Sequence, residues 1–140
     1  MSEAGSIHAG ALLRRGALRN PRKVAVIWEE GQRTYGELLR RVDRLAHALT
    51  ALGVRPGDRV GLLLHNGPDF LESWWAVAQM GAVVVSLSTR ALPTDLAYML
   101  RDAEAAAVLA EAEFLPALAD LRREVPSLRL LVGRGASLPA

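Results

Sequence analysis

Residues 59–87 read RVGLLLHNGPDFLESWWAVAQMGAVVVSL, and this stretch decides the fold. The run 59–64 is almost continuously apolar, which is typical of a strand covered on both faces. Asn66 is predicted to cap the following helix, with Pro68 in its first turn, where a missing N–H costs little. A second apolar run, 82–87, predicts another strand. A strand, a helix and a strand in such close succession predict a right-handed crossover between parallel strands.

The clearest helix lies upstream of this unit and begins after Thr34. Thr34 and Glu37 have the spacing of a capping box, in which each side chain accepts a hydrogen bond from a backbone N–H. Glu37 and Arg41 are also spaced for an ion pair one turn apart. Gly53 is suited to end the helix, because glycine readily adopts the left-handed conformation found just past helix ends. One face of the helix is apolar and carries Leu38, Val42, Leu45, Ala46, Leu49 and Leu52.

The rest of the chain continues the alternation of strands and helices. Further elements are expected as strands at 24–28, 106–110 and 128–132, and as helices at 9–19, 93–103 and 114–124. This alternation predicts an α/β fold with a mostly parallel sheet and helices on both faces. Residues 1–8 are expected to form a flexible N-terminus, and residues 9–140 to form one α/β domain.

Composition excludes several classes of protein. The 140 residues include no cysteine, which excludes a disulfide scaffold and a cysteine-bound metal site. The 17 basic and 15 acidic residues are mixed along the chain, so no basic stripe indicates nucleic-acid binding. No apolar run reaches the roughly 18 residues of a transmembrane span, and the first residues do not resemble a secretory signal. We therefore expect a soluble cytoplasmic protein.

The turns that follow strands are the candidate sites, because ligands of parallel sheets usually bind at the carboxyl ends of the strands. His65 and Asn66 follow the strand at 59–64 and could hold an anion at the start of the next helix. The plainer interpretation of these two residues is a capped turn. Gly133-Arg134-Gly135 resembles the start of a dinucleotide-binding loop, but the pattern is not completed. The three histidines lack metal-ligand spacing, so neither a metal site nor a catalytic residue is predicted.

The helix predicted at 68–80 is apolar over most of its circumference. Trp74 and Trp75 are adjacent and point about 100° apart. One interpretation is core packing against several neighbours. The other is an exposed apolar patch through which the chain self-associates or contacts a missing part of a larger protein. A narrow polar stripe on the helix consists of Asp69, Glu72, Ser73 and Gln79.

Several stretches together resemble the beginning of the adenylate-forming, or AMP-binding, enzymes, and acyl-CoA synthetases most of all. Thr34-Tyr35-Gly36-Glu37-Leu38 is similar to the family's T-Y-x-E-L helix start, and residues 53–60, GVRPGDRV, to its G-V-x-x-G-D-x-V turn. Three further stretches resemble family segments, namely NPRKVAV at 20–26, HNGPDF at 65–70 and LAYMLRDA at 96–103. The likeness spans about residues 10–132. It implies that the chain is an incomplete part of the family's large N-terminal α/β domain.

The chain departs from the family pattern in two places. Ser88-Thr89-Arg90 stands where the family often has N-P-R or N-T-R. Leu92 stands where a threonine often caps the helix that Pro93 opens. In CoA ligases the arginine of the first stretch lies near the nucleotide phosphates of CoA, so the resemblance implies a phosphate contact for Arg90.

The motifs that carry the family's chemistry are absent from this sequence. They are the phosphate loop, the adenine, ribose and Mg²⁺ motifs, and the lid with its catalytic lysine. Without a cradle for the triphosphate and a cation, the attacked phosphate has no electrostatic support. The resemblance therefore implies an N-terminal fragment of an ATP-dependent carboxylic acid–CoA ligase that is inactive and binds no cofactor alone. The complete enzyme would use ATP, Mg²⁺ and CoA, for example in fatty acid metabolism. The alternative is a stand-alone α/β interaction module that uses the helix at 68–80.

Overall fold

The structure is a computed structural model that describes residues 9–134. The helices are α1 (Ala9–Arg19), α2 (Tyr35–Ala51), α3 (Pro68–Gln79), α4 (Pro93–Asp102) and α5 (Leu115–Leu121), the last flanked by short 3-10 turns. The strands are β1 (Val24–Trp28), β2 (Gly31–Thr34), β3 (Arg59–Leu63), β4 (Val83–Ser86), β5 (Ala107–Glu111) and β6 (Leu130–Arg134). The segment 1–8, expected to be flexible, lies outside the described residues, and so does Gly135.

A parallel sheet forms the centre of the fold, as predicted, and its strand order is β4-β3-β5-β6. Val60 of β3 lies opposite Val84 of β4 and Ala107 of β5. Strands β3 and β5 are central and almost fully buried, whereas β4 and β6 form the edges. The chain passes from β3 outward to β4 and then back across to β5. The carboxyl ends of β3 and β5 therefore flank the point where the strand order reverses, a common position for binding sites.

Strand β1 does not join this sheet. It pairs with β2 in an antiparallel hairpin in which Trp28 lies opposite Gly31. The sequence analysis predicted β1 but missed β2, because β2 reads GQRT and has no apolar alternation. Its pairing with β1 makes it a strand. The guanidinium of Arg33 lies over the Trp28 ring, 5.0 Å from the centroid, and this cation–π contact supports the hairpin.

Helices cover both faces of the sheet, which confirms the predicted architecture. Helices α4 and α5 pack over one face, on a cluster that includes Leu63, Leu100, Val108 and Leu118. Helices α2 and α3 pack over the other face, on a cluster that includes Leu49, Val60, Leu62, Val77 and Leu109. A third cluster joins α1, α2 and α3 and includes Leu13, Leu38, Val42 and Ala76. Helix α1 therefore lies against α2 and α3 rather than against the sheet.

Helix α3 contacts neighbours on two sides, which explains its apolar circumference. Trp74 packs against the cluster on the sheet face, and Trp75 packs against the cluster shared with α1 and α2. The two rings meet edge to face, with centroids 5.2 Å apart and planes at 81°. Both tryptophans are partly buried. Core packing accounts for both side chains, so they give no support to self-association.

The ends of α2 form as predicted. The Thr34 N–H donates to Glu37 Oε2 at 2.8 Å, and the Glu37 N–H donates to Thr34 Oγ1 at 3.3 Å, which completes the capping box. The backbone and side-chain hydrogen bonds from Thr34 lower the pKa of the Glu37 carboxyl. Gly53 follows the helix with φ of 94°, in the left-handed region that favours glycine.

Two local predictions are wrong. The N-cap of α3 is Gly67, which provides no side-chain cap, so Asn66 does not cap the helix. Arg41 pairs with Glu72 rather than with Glu37, because α3 brings a buried carboxylate beside it. In the second case a contact between distant residues replaces the predicted contact between neighbours in sequence.

The amino ends of the strands are tied together by hydrogen bonds and ion pairs. Asp58 Oδ2 accepts from the Arg55 N–H at 2.8 Å and from Arg129 Nη2 at 2.5 Å. Burial raises the pKa of the Asp58 carboxyl, but the hydrogen bonds from Arg55 and Arg129 outweigh it and the pKa is lowered. Arg59 donates to the Ala103 carbonyl at 2.7 Å and to Glu104 Oε2 at 2.8 Å. These contacts join the starts of β3 and β6 and the end of α4.

Candidate functional site at the carboxyl ends of the strands

His65 and Asn66 lie in the loop that leads from β3 into α3, and both are exposed. His65 Nε2 lies 2.9 Å from Glu113 Oε1. The His65 ring also packs against Phe114, with ring centroids 5.7 Å apart. Glu113 and Phe114 follow β5, which is the neighbour of β3 in the sheet. His65 therefore joins two loops at the carboxyl end of the sheet.

Arg90 is exposed and lies in the loop that follows β4. The N–H of Arg90 donates to Ser88 Oγ at 3.2 Å, which shapes the loop. Because β3 and β4 are adjacent and parallel, this loop and the loop of His65 and Asn66 share one end of the sheet. Within residues 9–134, no hydrogen bond or ion pair joins the three predicted site residues. The structure thus places them at one end of the sheet without bringing them into one cluster.

A groove of about 420 Å³ opens at the same end of the sheet, between helices α2 and α3 and the ends of β3, β5 and β6. We call it the α2–β6 groove. Its apolar lining consists of Leu45, Leu64, Leu109, Ala110 and Val132. Its charged lining consists of Arg41, Arg44, Asp69, Glu72 and Arg134. The groove therefore combines an apolar surface with charges of both signs.

Glu72 is the buried charge of the groove, since only 7% of its side chain is exposed. Its Oε1 accepts a hydrogen bond from Arg41 Nε at 2.7 Å and also contacts the guanidinium of Arg33. The hydrogen bond with Glu72 raises the pKa of Arg41, because it favours the charged guanidinium. One carboxylate on α3 is thus held by arginines from α2 and β2, which compensates for its burial.

Arg134 and Arg44 supply the other positive charges of the groove. Arg134, at the end of β6, forms an ion pair with Asp69 at the start of α3. The geometry of this pair does not make it a hydrogen bond to Asp69 Oδ2. Arg134 Nη1 also lies 3.9 Å from Glu111 Oε1. Among residues 9–134, no carboxylate pairs with Arg44. Both carboxylates of the lining are therefore already paired, whereas Arg44 carries a positive charge that the described residues do not balance.

The sequence analysis did not find this groove. It noted Asp69 and Glu72 only as part of a polar stripe on a largely apolar helix. That stripe was the available signal, because a carboxylate on such a helix needs a partner when it is buried. The partners of Glu72 could not be named, since Arg33 and Arg41 lie 39 and 31 residues away in sequence.

The described part of the chain contains no group of three or more metal-ligating side chains. None of its helices is both long and apolar enough to cross a bilayer.

Comparison with known proteins places the chain in a family. Residues 13–139 match the model of the AMP-binding enzyme family. The crotonobetaine/carnitine–CoA ligase of Salmonella typhimurium is 34% identical over 107 residues, which cover 73% of this chain and 21% of the relative. The enzyme of the same name from Escherichia coli O139:H28 is 32% identical over 108 residues, or 76% of this chain and 21% of the relative. The chain spans about a fifth of the length of these curated relatives.

Solved structures agree with this placement. The anthranilate CoA ligase AuaEII, in complex with anthranoyl-AMP, is similar with a TM-score of 0.85 and 29% identity, over 94% of this chain and 26% of that one. A fatty acyl CoA synthetase of Mycobacterium tuberculosis is similar with a TM-score of 0.83 and 29% identity, over 89% and 26% of the two chains. A benzoate CoA ligase of Burkholderia xenovorans is similar with a TM-score of 0.80 and 30% identity, over 92% and 26%. The family match covers nearly the whole sequence, and this chain therefore belongs to the AMP-binding enzyme family, of which it matches an N-terminal segment.

Proposed function

We propose that this chain is the N-terminal part of an ATP-dependent carboxylic acid–CoA ligase. Such an enzyme would activate a carboxylate as acyl-AMP and then transfer the acyl group to CoA. The observation that carries the proposal is the family match over residues 13–139, together with named relatives that are CoA ligases. Fatty acids are one class of substrate that the proposal allows, and a cytoplasmic location fits the need for ATP and CoA.

Within this enzyme the chain would serve as scaffold rather than supply the reacting groups. Adenylate formation needs a cradle for a triphosphate and a cation that offsets charge at the attacked phosphate. We propose that the described residues supply neither, because they contain no complete glycine-rich phosphate loop and no metal-binding cluster. We assign no step of the adenylation chemistry to them, and we propose that the chain alone activates no acid.

Arg90 fits one part of CoA, namely its nucleotide phosphates. A guanidinium is suited to phosphate because its charge is permanent and its donors are planar. Arg90 is exposed on the loop after β4, at the end of the sheet where ligands commonly bind. We propose that Arg90 contacts CoA in the complete ligase and that His65 and Asn66 border the same region.

Acid-dependent release of pyrophosphate tests the scaffold role. The purified 140-residue chain is mixed with ATP, Mg²⁺, CoA and a panel of fatty and aromatic acids. We expect no turnover above the acid-free background, while a complete benzoate CoA ligase assayed in parallel gives turnover. Acid-dependent turnover by the chain alone would contradict the scaffold role.

The alternative of a stand-alone interaction module depends on an exposed apolar face of α3. Trp74 and Trp75 instead pack against two different internal clusters. No observation therefore favours this alternative. Light scattering that showed a defined oligomer broken by Trp74→Ala in a folded chain would revive it.

A further inference from the structure

We infer that the α2–β6 groove is the seat of an acidic amphipathic helix from the remainder of the CoA ligase. The inference rests on the proposed function, because the helix would come from the part of the enzyme that its relatives have beyond the matched segment. The occupant is defined by its chemistry: an apolar stripe against the partly buried Leu45 and Val132, and at least one carboxylate beside Arg44.

The uneven cover of the sheet is the first observation. A parallel sheet is normally covered by helices on both faces. On one face α5 packs against β6, and on the other face α3 packs against β3 and β4. Leu109 of β5 and Val132 of β6 point to this second face and line the groove. Leu109 of β5 is nevertheless buried, whereas Leu130 and Val132 of β6 are only partly buried, so the helix layer is incomplete over the edge strand β6.

The charges of the lining are the second observation. Glu72 is paired with Arg33 and Arg41, and Asp69 is paired with Arg134. Arg44 stands at the rim with no carboxylate partner among the described residues. An occupant with a carboxylate at this position would balance the charge, whereas a basic occupant would be repelled.

The apolar lining of the groove favours a helix over other occupants. A helix satisfies its own backbone hydrogen bonds and can lie on apolar side chains, as amphipathic helices do in grooves. An irregular loop would press unpaired N–H and C=O groups onto Leu45 and Val132. A second copy of this chain, related by a twofold axis, would bring one arginine-rich rim against another. The relatives supply the needed length, since about four-fifths of each lies outside the match.

Thiol reactivity tests the inference, because the chain contains no native cysteine. Val132→Cys places a thiol in the groove, and Leu131→Cys is a matched control that faces the α4–α5 side of the same strand. Each variant is studied as the isolated chain and as a chimera in which the chain replaces the matched segment of the Salmonella typhimurium ligase. We expect the thiol at position 132 to react at least tenfold more slowly in the folded chimera, with a much smaller change at position 131.

A peptide screen provides a second measurement that does not need a folded chimera. Overlapping 20-residue peptides from the unmatched part of the same ligase are tested for protection of the thiol at position 132. We expect protection by a peptide with an apolar stripe and carboxylates. Arg44→Glu should weaken this protection at least fivefold, while Arg40→Glu, an equal change of charge on an exposed residue of the same helix outside the groove lining, should not.

Several results would overturn the inference. One is an unchanged thiol reactivity in a folded chimera. Where the chimera does not fold, the absence of any protecting peptide would overturn it. Protection that rises with the concentration of the isolated chain would assign the groove to a second copy. Protection by benzoate or decanoate at the concentrations used for peptides would assign it to a small carboxylate. Activity of the chimera is not a readout, so failure of the ligase proposal and failure of the helix seat are distinguishable.

Discussion

The two ends of the parallel sheet are built differently. At the amino ends, Asp58 accepts hydrogen bonds from the Arg55 N–H and from Arg129. Arg59 and Arg129 also donate to the backbone carbonyls of Ala103 and Gly53. At the carboxyl ends, Asn66 and Arg90 are exposed, and the α2–β6 groove is open. The polar side chains of the amino ends are used to hold the fold. At the carboxyl ends, the exposed side chains of Asn66 and Arg90 remain accessible to a ligand.

Ligands of doubly wound sheets usually bind at the carboxyl ends of the strands. We therefore expect accessible donors and acceptors at that end, and permanent contacts between loops at the amino ends. Some side chains at this end are nevertheless paired internally, namely Glu72 with Arg33 and Arg41, Asp69 with Arg134, and His65 with Glu113. Substitutions at both ends can break or sharpen this contrast.

Replacing Glu72 should have the largest effect on stability. Glu72→Ala leaves Arg33 and Arg41 beside an apolar surface without their carboxylate. Because Arg41 is about half exposed, we expect a loss of about 2–3 kcal/mol, less than for a fully buried pair. Urea denaturation followed by circular dichroism measures the loss. Asp95→Ala, at an exposed position in the first turn of α4, is the control, and an equal loss in both variants would contradict the special role of Glu72.

Replacing Asp58 tests the amino-end network and should have the next largest effect. Asp58→Ala removes the acceptor shared by Arg55 and Arg129, and we expect a loss of about 1–2 kcal/mol at pH 7 because these partners are partly solvated. The lowered pKa of Asp58 also predicts a dependence on pH. Its stabilising contribution is present above the ordinary value of 3.8 and is lost as the pH falls through the lowered pKa.

The pH dependence is measured with Asp58→Asn, which keeps an acceptor but has no charge to lose. Urea midpoints of the wild type and this variant are compared from pH 7 down to pH 2. The difference between them should be largest at neutral pH and should shrink below pH 3.8. A difference that stayed constant over the whole range would show that the charge of Asp58 does not stabilise the fold.

Removing the capping box should have a smaller effect. Thr34→Ala takes away the side-chain acceptor for the Glu37 N–H at the start of α2. We expect a loss of about 1 kcal/mol, the usual effect of losing an N-cap side chain. Thr34→Ser keeps the hydroxyl and should restore most of the stability. A urea midpoint unchanged in Thr34→Ala would show that the cap contributes nothing.

Replacing Arg90 should change stability least. Arg90 is exposed, so we expect Arg90→Ala to alter the free energy of unfolding by less than about 0.5 kcal/mol. In the complete ligase, the same change should raise the KM for CoA severalfold while the rate of acyl-AMP formation stays the same. Arg90→Lys should recover part of the affinity, because it keeps the charge but not the planar fork of donors. An unchanged KM for CoA would remove Arg90 from the CoA site.

Part of this protein can be predicted from neighbouring residues alone. The apolar runs of β3, β4 and β5, the helices between them and the capping box all depend on spacings of a few residues. The resemblance to AMP-binding enzymes depends on the same short stretches. The parallel direction of the strands also follows, because the helix between two consecutive strands returns the chain to the same end of the sheet.

The tertiary structure alone decided the remaining features. Strand β2 exists because it pairs with β1. The partners of Glu72, and the contact of His65 with Glu113, join residues 31 to 48 positions apart. Spacing within one helix or strand carries no information at that range. Only the packing of α2, α3 and β6 could bring their side chains together into a groove.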